Sequence, residues 1–357
     1  MNQRTNHGLA VTIFQFFVCG VVVNDANAAE TSAPEVRVTN IRRAFHNGEH
    51  NAFTDLIRFR DRFYLTFRSC PDGHGVHPTA SIIILESDDA RTWKPVHRFR
   101  VAKRDTRDPH FLIFKGKLFV YSGTWYCGDS SPEDYHWNQH LGYSCWSKDG
   151  RAWSKPTMLE GTYGHYIWRA AEHNGKAYLC GRRKRDFVET PLSFRKDVES
   201  AMLESDDGLI WRTRSLFQTT QGNETAFLFE PDGSVLAVSR FTLDNSQLCR
   251  SKPPYSEWKR SDLHRYIGGP LLAKWGKRYL VGGRRIMGGT RETTLYWLID
   301  GKLKEFAVLP SGGDNSYPGF VELSPSRSLV SWYSSHEKDE SGKTITAIYL
   351  ADLAIVD

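Results

Sequence analysis

The clearest pattern in the chain is the pairing of short apolar runs around a polar turn in residues 222–240. This stretch reads GNETAFLFEPDGSVLAVSR, in which two apolar runs flank the turn sequence Pro231-Asp232-Gly233. Two β-prone runs around a glycine-containing turn predict a β-hairpin. Because the start of the first strand of a hairpin lies beside the end of its second, Glu224 and Arg240 are predicted at the same end.

The same sixteen-residue offset recurs in five other hairpin-like segments. Their turns centre on residues 60–61, 115–117, 174–175, 275–277 and 325–326. The pairs that this spacing predicts are Ala52 with Arg68, Asp108 with Thr124, Tyr166 with Arg182, Gly268 with Arg284, and Tyr317 with Tyr333. Six copies of one spacing indicate a repeated β unit.

A third apolar run follows each hairpin, and a turn with a tryptophan closes several of the units. Trp93, Trp153 and Trp211 end clear copies, and Trp258 ends a weaker one. Each unit supplies about four antiparallel strands, so six units predict an all-β fold, a six-bladed β-propeller. A β-sandwich or jelly roll is the alternative, but neither needs six copies of one offset. Residues 34–45 alternate like a strand, and we expect them to complete the last blade.

The first 28 residues differ in character from the rest of the chain. A basic start at Arg4, an apolar stretch over residues 9–23 and the sequence Ala26-Asn27-Ala28 are typical of a secretory signal peptide. The apolar stretch is short and contains Gln15, so we expect cleavage near Ala28, export to the periplasm or the medium, and no membrane anchor. No linker divides residues 29–357, which we predict to form a single propeller domain.

Charge and cysteine content narrow the range of partners. Lys and Arg number 47 and Asp and Glu 41, and a net charge of +6 is too small a surplus to indicate nucleic acid. Five cysteines follow the predicted leader, so at least one is unpaired. Cys127 and Cys145 could bridge two strands, but we expect most of the five to be buried thiols. We expect a monomer that needs no cofactor and no metal at its site.

Arginines gather at the predicted ends of the hairpins. Hairpins arranged around an axis place all first-strand starts and second-strand ends on one face, so four arginines should point toward one depression: Arg68, Arg182, Arg240 and Arg284. Arg107 and Asp108 lie on the same face, where Arg107 either lines the axis or forms an interblade salt bridge. Guanidiniums with too few carboxylates need an anion, and their planar fork suits a carboxylate or sulfate. The depression therefore predicts an acidic ligand.

A polar, glycine-rich loop at residues 69–79 lies at the same predicted end of the first hairpin, close to His50. It carries Asp72, His74 and His77 within six residues. Such connections often carry catalytic groups. The alternative is a solvated loop tip with incidental histidines.

Taken in chain order, these residues resemble the sialidase (neuraminidase) superfamily over nearly the whole chain after the leader. The resemblance rests on the Asp-box-like turns that precede the tryptophans, the hairpin from Glu224 to Arg240, Arg284 in the next blade, and Ser316-Tyr317 and Tyr333 in the last blade. It implies that arginines hold the substrate carboxylate while a tyrosine attacks the sugar. Tyr317 would be this nucleophile, Glu224 its base, Arg240 and Arg284 two members of the clamp, Tyr333 a binding residue, and Asp72 the acid.

The first blade departs from the sialidase pattern. The family's first arginine, in an Arg-Ile-Pro type motif, is replaced by the sequence HNAFTD at residues 50–55, so Arg68 or Arg182 would supply the third guanidinium. A histidine at this place, with His74 or His77 nearby, instead resembles the propeller-type ulvan lyases and the related rhamnosidases. That second resemblance implies that Arg182 neutralises a uronate carboxylate while His50 and Tyr166 transfer protons.

The sequence thus leaves three functions open. The first is an exported enzyme resembling exo-sialidases, which hydrolyses a glycosidic bond of an acidic sugar held by an arginine cluster. The second is a polysaccharide lyase or related glycosidase acting on a uronate-containing glycan, and the third is a non-catalytic propeller that binds acidic glycans. Hydrolysis is preferred because Glu224, Arg240, Arg284 and Tyr317 occur in order over three consecutive blades.

Overall fold

The strands of this protein pair locally, in groups of four. The computed structural model describes Met1 and residues 33–189, 195–241 and 244–356. Within these ranges 24 strands form six four-stranded antiparallel sheets. This arrangement confirms the predicted all-β, six-bladed β-propeller. Apart from Met1, the predicted signal peptide lies outside the described residues.

The first three blades follow one another directly along the chain. Blade 1 consists of β2 (His50–Phe59), β3 (Arg62–Cys70), β4 (Ser81–Ser87) and β5 (Lys94–Phe99). Blade 2 consists of β6 (Arg104–Phe114), β7 (Lys117–Tyr126), β8 (Leu141–Ser147) and β9 (Thr157–Met158). Blade 3 consists of β10 (Tyr166–His173), β11 (Lys176–Lys184), β12 (Val198–Ser205) and β13 (Arg212–Gln218).

The last three blades have the same plan. Blade 4 consists of β14 (Thr225–Phe229), β15 (Val235–Ser239), β16 (Gln247–Ser251) and β17 (Lys259–Asp262). Blade 5 consists of β18 (Gly268–Trp275), β19 (Arg278–Met287), β20 (Thr290–Ile299) and β21 (Lys302–Leu309). Blade 6 consists of β22 (Asn315–Ser324), β23 (Arg327–Lys338), β24 (Thr344–Val356) and β1 (Glu35–Phe45). The 3-10 turns are Trp137–Gln139, Arg185–Phe187 and Arg195–Asp197.

The ring closes through the strand that comes first in the chain. β1 pairs antiparallel with β24, which confirms that residues 34–45 complete the last blade. The first strands of successive blades contact one another around the whole ring, from β2 through β6, β10, β14 and β18 to β22 and back to β2. A closed arrangement of this kind leaves only short outer edges exposed. The first strands therefore surround the axis, and their starts frame one end of it.

The first strands of five blades carry one extra residue near their starts. The register shifts lie between Ala52 and Asp55, Arg107 and Pro109, Ile167 and Ala170, Gly268 and Leu271, and Ser316 and Gly319. Four of the bulged residues have positive φ angles: Phe53 (64°), Asp108 (49°), Gly269 (59°) and Tyr317 (53°). A bulge re-aims the side chain of its extra residue, and bulges are frequent beside active sites.

The bulges also explain where the predicted offset holds and where it is wrong. Ala52 pairs with Arg68, Tyr166 with Arg182, and Gly268 with Arg284, as predicted. The Glu224 carbonyl accepts a 2.9 Å hydrogen bond from the Arg240 amide. In blade 2, however, Thr124 pairs with Thr106 rather than Asp108, and in blade 6 Tyr333 pairs with Ser316 rather than Tyr317. Asp108 and Tyr317 are themselves the extra residues of their bulges.

Three turns between third and fourth strands share one set of hydrogen bonds. Asp89, Asp149 and Asp207 each accept bonds of 2.8–3.0 Å from two following backbone amides and from the serine two residues before. These bonds favour the ionised carboxylate and lower the pKa of Asp89 and Asp149 to about 2. The repeated Ser-X-Asp sequence therefore fixes the same turn in blades 1, 2 and 3.

A buried arginine ties several blades together at the axis. Arg169 of blade 3 donates 2.9 Å and 2.6 Å hydrogen bonds to Asp55 Oδ1 of blade 1 and the Pro318 carbonyl of blade 6. Its Nε donates a 3.3 Å bond to the Pro270 carbonyl of blade 5. Asp55 also accepts a 2.9 Å bond from the Phe111 amide of blade 2. The axis is therefore closed by polar contacts beneath the frame of strand starts.

The five described cysteines are all buried and unpaired, so the Cys127–Cys145 bridge does not form. No helix within the described residues is long and apolar enough to cross a membrane.

Candidate functional site

A cavity of about 320 Å³ lies at the axis, at the end framed by the strand starts. Its lining comes from all six blades: Phe53, His74, Arg107, Asp108, Trp125, Tyr135, Trp137, Tyr166, Arg182, Arg195, Asn223, Glu224, Arg240, Arg284 and Tyr317. Most of the predicted catalytic and binding residues are among them. A wider groove of about 750 Å³ runs along blade 4, but none of the predicted catalytic or binding residues lines it.

Tyr317 and Glu224 form a tyrosine–carboxylate pair on the side of blades 4 to 6. The Tyr317 hydroxyl donates a 2.6 Å hydrogen bond to Glu224 Oε1, while Arg240 Nη1 donates a 2.9 Å bond to Oε2 of the same carboxylate. The Gly269 amide donates a 3.1 Å bond to Oε2 as well. The carboxylate is thus fixed from both sides, with one oxygen directed at the phenol.

Burial and neighbouring charges shift the pKa values of both Glu224 and Tyr317. Burial alone would raise the pKa of Glu224, but Arg240, the Tyr317 hydrogen bond and Arg182 outweigh it and lower that pKa to about 2. Burial, followed by the Glu224 charge, raises the pKa of Tyr317 well above its usual value, although Arg240 and Arg284 oppose this effect. At neutral pH the pair is therefore a carboxylate beside a protonated phenol.

Arg284 links the cavity to a network of polar groups behind it. Its Nη2 donates 3.2 Å and 3.0 Å bonds to Asp314 Oδ1 and the Tyr333 hydroxyl, and Tyr333 donates a 2.9 Å bond to Asp314 Oδ1. The other oxygen of Asp314 lies 3.0 Å from His50 Nε2 and 2.6 Å from His74 Nδ1. These hydrogen bonds and Arg284 lower the pKa of Asp314 far below its usual value, although burial opposes them.

A second tyrosine–carboxylate pair faces the cavity from blades 2 and 3. The Tyr166 hydroxyl donates a short hydrogen bond to Asp108 Oδ2. Burial raises the pKa of Asp108 to about 6; Glu224 adds to this rise, while Arg107 opposes it. Asp108 Oδ1 is buried and has no hydrogen-bond partner in the described part of the chain. Arg182 lies 5.0 Å above the Tyr166 ring and donates a 2.9 Å bond to Asn223 Oδ1.

Positive charge dominates the cavity wall. Five arginines line it, and the only carboxylates among the described lining residues are Asp108 and Glu224. The Nε atoms of Arg107, Arg182 and Arg240 are buried without a hydrogen-bond partner in the described ranges. Two carboxylates do not neutralise five guanidiniums, so the electrostatics of the cavity favour an anion.

Five predicted site residues do not line the cavity. Arg68 is fully buried and bonds both Asp105 oxygens at 3.0 Å. Asp72 is exposed and accepts a hydrogen bond from Thr79. His77 lies on the same loop and contacts the Ser131 hydroxyl at 2.7 Å. The other two, His50 and Tyr333, sit behind the wall on Asp314.

Arg107 lines the cavity, and its salt bridge, 3.8 Å to Asp105, lies within its own blade rather than between blades. Its contact with blade 1 is a 2.8 Å hydrogen bond to the His74 carbonyl. Its guanidinium stacks 5.2 Å above Phe53 and 5.3 Å from Trp125.

The sequence did not assign roles to several residues that shape the cavity. Phe53 occupies the bulge of blade 1, and its ring lies 4.9 Å from the Tyr317 ring. Trp125, Tyr135 and Trp137 form an aromatic wall, with the Arg182 guanidinium 4.4 Å above Trp137. The loop between β7 and β8 is rich in aromatic residues, which is a sequence signal for such a wall. Its sequence does not specify which of the rings face the cavity.

Among the described residues, His50, His74 and Asp314 form the group whose ligand atoms all lie within 4.8 Å of one another, close enough to share a metal ion. Direct hydrogen bonds of 3.0 Å and 2.6 Å already join the two rings to the carboxylate, and Arg284 occupies its other oxygen. A cation would have to displace these bonds and face a guanidinium. The group is better described as a hydrogen-bonded relay.

The architecture places the chain in a fold class, the sialidase-like six-bladed β-propellers. Among solved structures, a Dyadobacter fermentans protein of unknown function matches with a TM-score of 0.75 and 20% identity, over 91% of this chain and all of that one. Trypanosoma rangeli sialidase in complex with sialic acid matches with a TM-score of 0.63 and 12% identity. That match covers 91% of this chain, which spans 59% of the sialidase.

A third solved structure with this architecture is a family 117 glycoside hydrolase of the marine bacterium Zobellia galactanivorans. It matches with a TM-score of 0.52 and 12% identity, over 91% of this chain and 92% of that one. No protein-family model matches the sequence, and no curated protein matches it significantly. At these identities the likeness concerns the fold, and the chemistry has to be argued from the cavity itself.

Proposed function

We propose that this protein is a glycoside hydrolase that cleaves a terminal acidic sugar, with Tyr317 as nucleophile and Glu224 as its base. The observation that carries the proposal is the 2.6 Å hydrogen bond from the Tyr317 hydroxyl to Glu224 in a cavity lined by five arginines. A nucleophile within hydrogen-bond reach of an oriented base is the arrangement that covalent catalysis needs. Glycosidases with a tyrosine nucleophile are a recognised exception to the use of two carboxylates.

The acidic ligand also explains how so weak a base could act. While Arg240 holds Glu224, the pKa of the carboxylate stays near 2 and the phenol keeps its proton. A substrate carboxylate that binds to Arg240 and Arg284 takes a share of their charge and brings a negative charge close to Glu224. The pKa of Glu224 then rises, as expected beside a like charge. Substrate binding would thus activate the base that deprotonates Tyr317.

A phenol suits this substrate better than a carboxylate nucleophile would. An anomeric carbon that bears or adjoins an acidic group repels an attacking carboxylate, whereas Tyr317 approaches as a neutral group and transfers its proton to Glu224 during attack. Arg284 lies over the Tyr317 ring, 5.9 Å from its centre, and its Nη2 also donates a 3.2 Å hydrogen bond to Asp314.

The test is a panel of 4-methylumbelliferyl glycosides of N-acetylneuraminic acid, hexuronic acids and sulfated hexoses, assayed with the protein and with Tyr317→Phe. The substitution should lower kcat/KM by about a thousandfold or more, equivalent to about 4 kcal/mol in the barrier. Tyr279→Phe is the matched control, because it removes a 2.8 Å tyrosine–glutamate bond to Glu230 outside the cavity. Its activity should stay within twofold of the unmodified protein.

A covalent intermediate gives a second readout. A 2-fluoro or 3-fluoro analogue of the cleaved sugar should add its mass to a peptide that contains Tyr317, and Tyr317→Phe should remain unlabelled. Activity of Tyr317→Phe within tenfold of the unmodified protein contradicts the proposal.

A lyase acting on a uronate is the second candidate, because Tyr166, Asp108 and Arg182 form another reactive group at the same cavity. Here the guanidinium would neutralise the uronate carboxylate while Tyr166 moves a proton. A lyase releases an unsaturated product that absorbs ultraviolet light and loses activity in Tyr166→Phe rather than Tyr317→Phe. Polyuronate digestion followed by absorbance separates the two candidates.

A further inference from the structure

The loop that carries His74 is held from below by two buried arginines. Three consecutive carbonyls accept their hydrogen bonds: Gly73 and Gly75 from Arg68 at 2.9 Å each, and His74 from Arg107 at 2.8 Å. Arg68 is itself fixed by two bonds to Asp105. Because charge-assisted bonds to buried groups are strong and directional, the backbone at His74 is rigidly placed although its side chain is exposed.

The imidazole of His74 is oriented from the opposite side. Its Nδ1 lies 2.6 Å from Asp314 Oδ2, and Asp314 is fixed in turn by Arg284, Tyr333 and His50. A carboxylate at this nitrogen favours the tautomer with the proton on Nδ1, and it stabilises the doubly protonated ring. Nε2 makes no hydrogen bond to any described residue, and His74 lines the cavity.

We infer that His74 is the proton donor to the leaving group, with Asp314 as its positioning residue. This inference rests on the proposed function. As Tyr317 Oη bonds to the anomeric carbon and loses its proton to Glu224, the glycosidic C–O bond breaks and the leaving oxygen takes the proton from His74 Nε2. A water then attacks the anomeric carbon and gives a proton to Nε2, while the Tyr317 C–O bond breaks and the phenol regains its proton from Glu224. The atoms balance as hydrolysis.

The alternative donors are less suitable by position. Asp72 and His77 lie on the same loop but do not line the cavity, and His50 is bonded to Asp314 behind the wall. Asp108 does line it, but Tyr166 bonds one of its oxygens and the residue sits deep in blade 2. Among the described residues that line the cavity, His74 is the one histidine, and it has an unbonded Nε2 and a carboxylate at Nδ1.

The charged groups around His74 are Asp314 of blade 6, His50 and Arg68 of blade 1, Arg107 of blade 2 and Arg284 of blade 5. Asp314 is the only anion among them that bonds the imidazole. Burial lowers the pKa of His50 and thereby favours its neutral form.

The experiment compares two leaving groups on one sugar, the 4-methylumbelliferyl and the methyl α-glycosides of N-acetylneuraminic acid, or of the panel member that is cleaved. A methyl leaving group needs a proton, whereas methylumbelliferone leaves readily without one. His74→Ala should lower kcat/KM for the methyl glycoside by about 10²–10⁴-fold, the usual range for a general acid, and change that for the aryl glycoside less than tenfold. His264→Ala, an exposed histidine of blade 4, is the control.

Two further readouts exclude a merely structural effect. His74→Ala should accumulate a glycosyl-enzyme in intact mass spectra with the aryl substrate, and azide should restore its turnover. Asp314→Asn should show the same leaving-group dependence as His74→Ala, with a larger fall in kcat/KM for the methyl glycoside than for the aryl glycoside, because Asp314 orients the imidazole. Equal thermal melts of His74→Ala and the unmodified protein show that the fold is intact.

The outcomes separate this inference from the proposed function. His74 is not the proton donor if His74→Ala lowers kcat/KM equally for the methyl and aryl glycosides, or changes it for neither. The same conclusion follows if His77→Ala gives the same loss. If Tyr317→Phe leaves kcat/KM unchanged for both glycosides, the proposed function fails, but the leaving-group dependence of His74→Ala still tests the donor.

Discussion

At the scale of single residues, the partners of a buried carboxyl group decide whether it carries charge at the axis. Glu224 and Asp108 both lie in the cavity wall and are both buried, yet the pKa of Glu224 falls to about 2 while that of Asp108 rises to about 6. The difference follows from their partners. Arg240 and Tyr317 donate hydrogen bonds to Glu224, whereas Tyr166 donates one to Asp108, whose other oxygen has no hydrogen-bond partner among the described residues. One wall therefore holds a permanent anion and a carboxyl group that titrates near neutrality.

The raised pKa of Asp108 predicts a pH dependence of stability. Between about pH 4 and pH 6 the unfolded chain has released this proton while the folded protein still holds it, so folding stability falls as pH rises through that window. Asp108→Asn is neutral at every pH and can still accept the Tyr166 hydrogen bond. It should therefore exceed the unmodified protein by about 1–3 kcal/mol at pH 7.5 and match it near pH 4, as measured by urea denaturation.

The control is Asp61→Asn, an exposed carboxylate in the turn after β2. It should not change the difference in stability between the two pH values. A stability gain of Asp108→Asn that is the same at both pH values would show that its charge is not the cause.

Arg240→Lys tests whether the planar, two-donor geometry of the guanidinium matters rather than its charge alone. Lysine keeps the positive charge beside Glu224 but cannot bond that carboxylate and a substrate carboxylate in one plane. KM for the acidic glycoside should rise about 10- to 100-fold, equivalent to about 1.4–2.8 kcal/mol, with a smaller change in kcat. Arg285→Lys, which alters an arginine paired with Glu292 and Glu305 outside the cavity, is the control and should stay within twofold. An equal rise in both variants would argue against carboxylate binding by Arg240.

At the scale of elements, the bulges of the first strands build the site. They place Phe53, Asp108 and Tyr317 in left-handed backbone conformations and turn their side chains toward the axis. Such conformations are costly for residues with a side chain and are concentrated at functional sites. Gly269 occupies the same place in blade 5, where its lack of a side chain leaves room for the Tyr317 ring.

Gly269→Ala tests this use of the bulge. A Cβ at residue 269 would lie 2.6 Å from Tyr317 Cδ2, in a backbone with φ of +59°. Gly276→Ala is a matched control, because its φ is +60° and its nearest neighbour would be 3.8 Å away. Both should lose about 1–2 kcal/mol from the left-handed backbone. Only Gly269→Ala should lose about 1 kcal/mol or more beyond that and at least tenfold in kcat/KM.

Equal losses of stability and activity in the two variants would show that contact with Tyr317 plays no part. Urea denaturation and steady-state kinetics measure both effects.

The elements that the sequence predicted are those fixed by local pattern. Apolar alternation and turn residues predicted the six hairpins, the four strands of each blade and the closing role of residues 34–45. The bulges have a weaker signal, since Pro109, Pro270 and Pro318 follow the extra residue in three blades, but a proline alone does not specify one. The offset therefore missed the partners of Asp108 and Tyr317 by one or two positions.

The site could be predicted only where a residue's role depends on its strand position. Glu224, Arg240, Arg284 and Tyr317 come together at the cavity because they occupy equivalent ends of neighbouring blades. Arg68 has the same strand position, but Asp105, 37 residues later in the next blade, binds its guanidinium. Residue spacing predicts the strand position of Arg68 but not the packing that brings Asp105 of the next blade against it.

At the scale of the whole molecule, the ion pair of Arg169 and Asp55 joins blades across the axis. Asp55→Asn removes the negative charge and leaves a buried guanidinium without an anion, which typically costs about 3–5 kcal/mol. Burial opposes ionisation of Asp55, but Arg169 and His110 outweigh it and lower its pKa, so this stability is present above about pH 4 and lost in acid. Arg58 and Asp61 form an exposed pair, and its removal should cost about 1 kcal/mol or less. Urea denaturation at pH 7 measures the free energy of unfolding of Asp55→Asn and Asp61→Asn. Similar losses in the two variants would contradict this account.

Arg169 also affects the cooperativity of unfolding. Its side chain in blade 3 donates hydrogen bonds to blades 1, 5 and 6. Local unfolding of any one of these blades would therefore leave the buried guanidinium without one of its acceptors. Partial opening is then nearly as unfavourable as complete disruption. Although its sequence is a chain of similar repeats, the molecule should melt in one cooperative step, unlike an elongated solenoid whose repeats meet only their immediate neighbours.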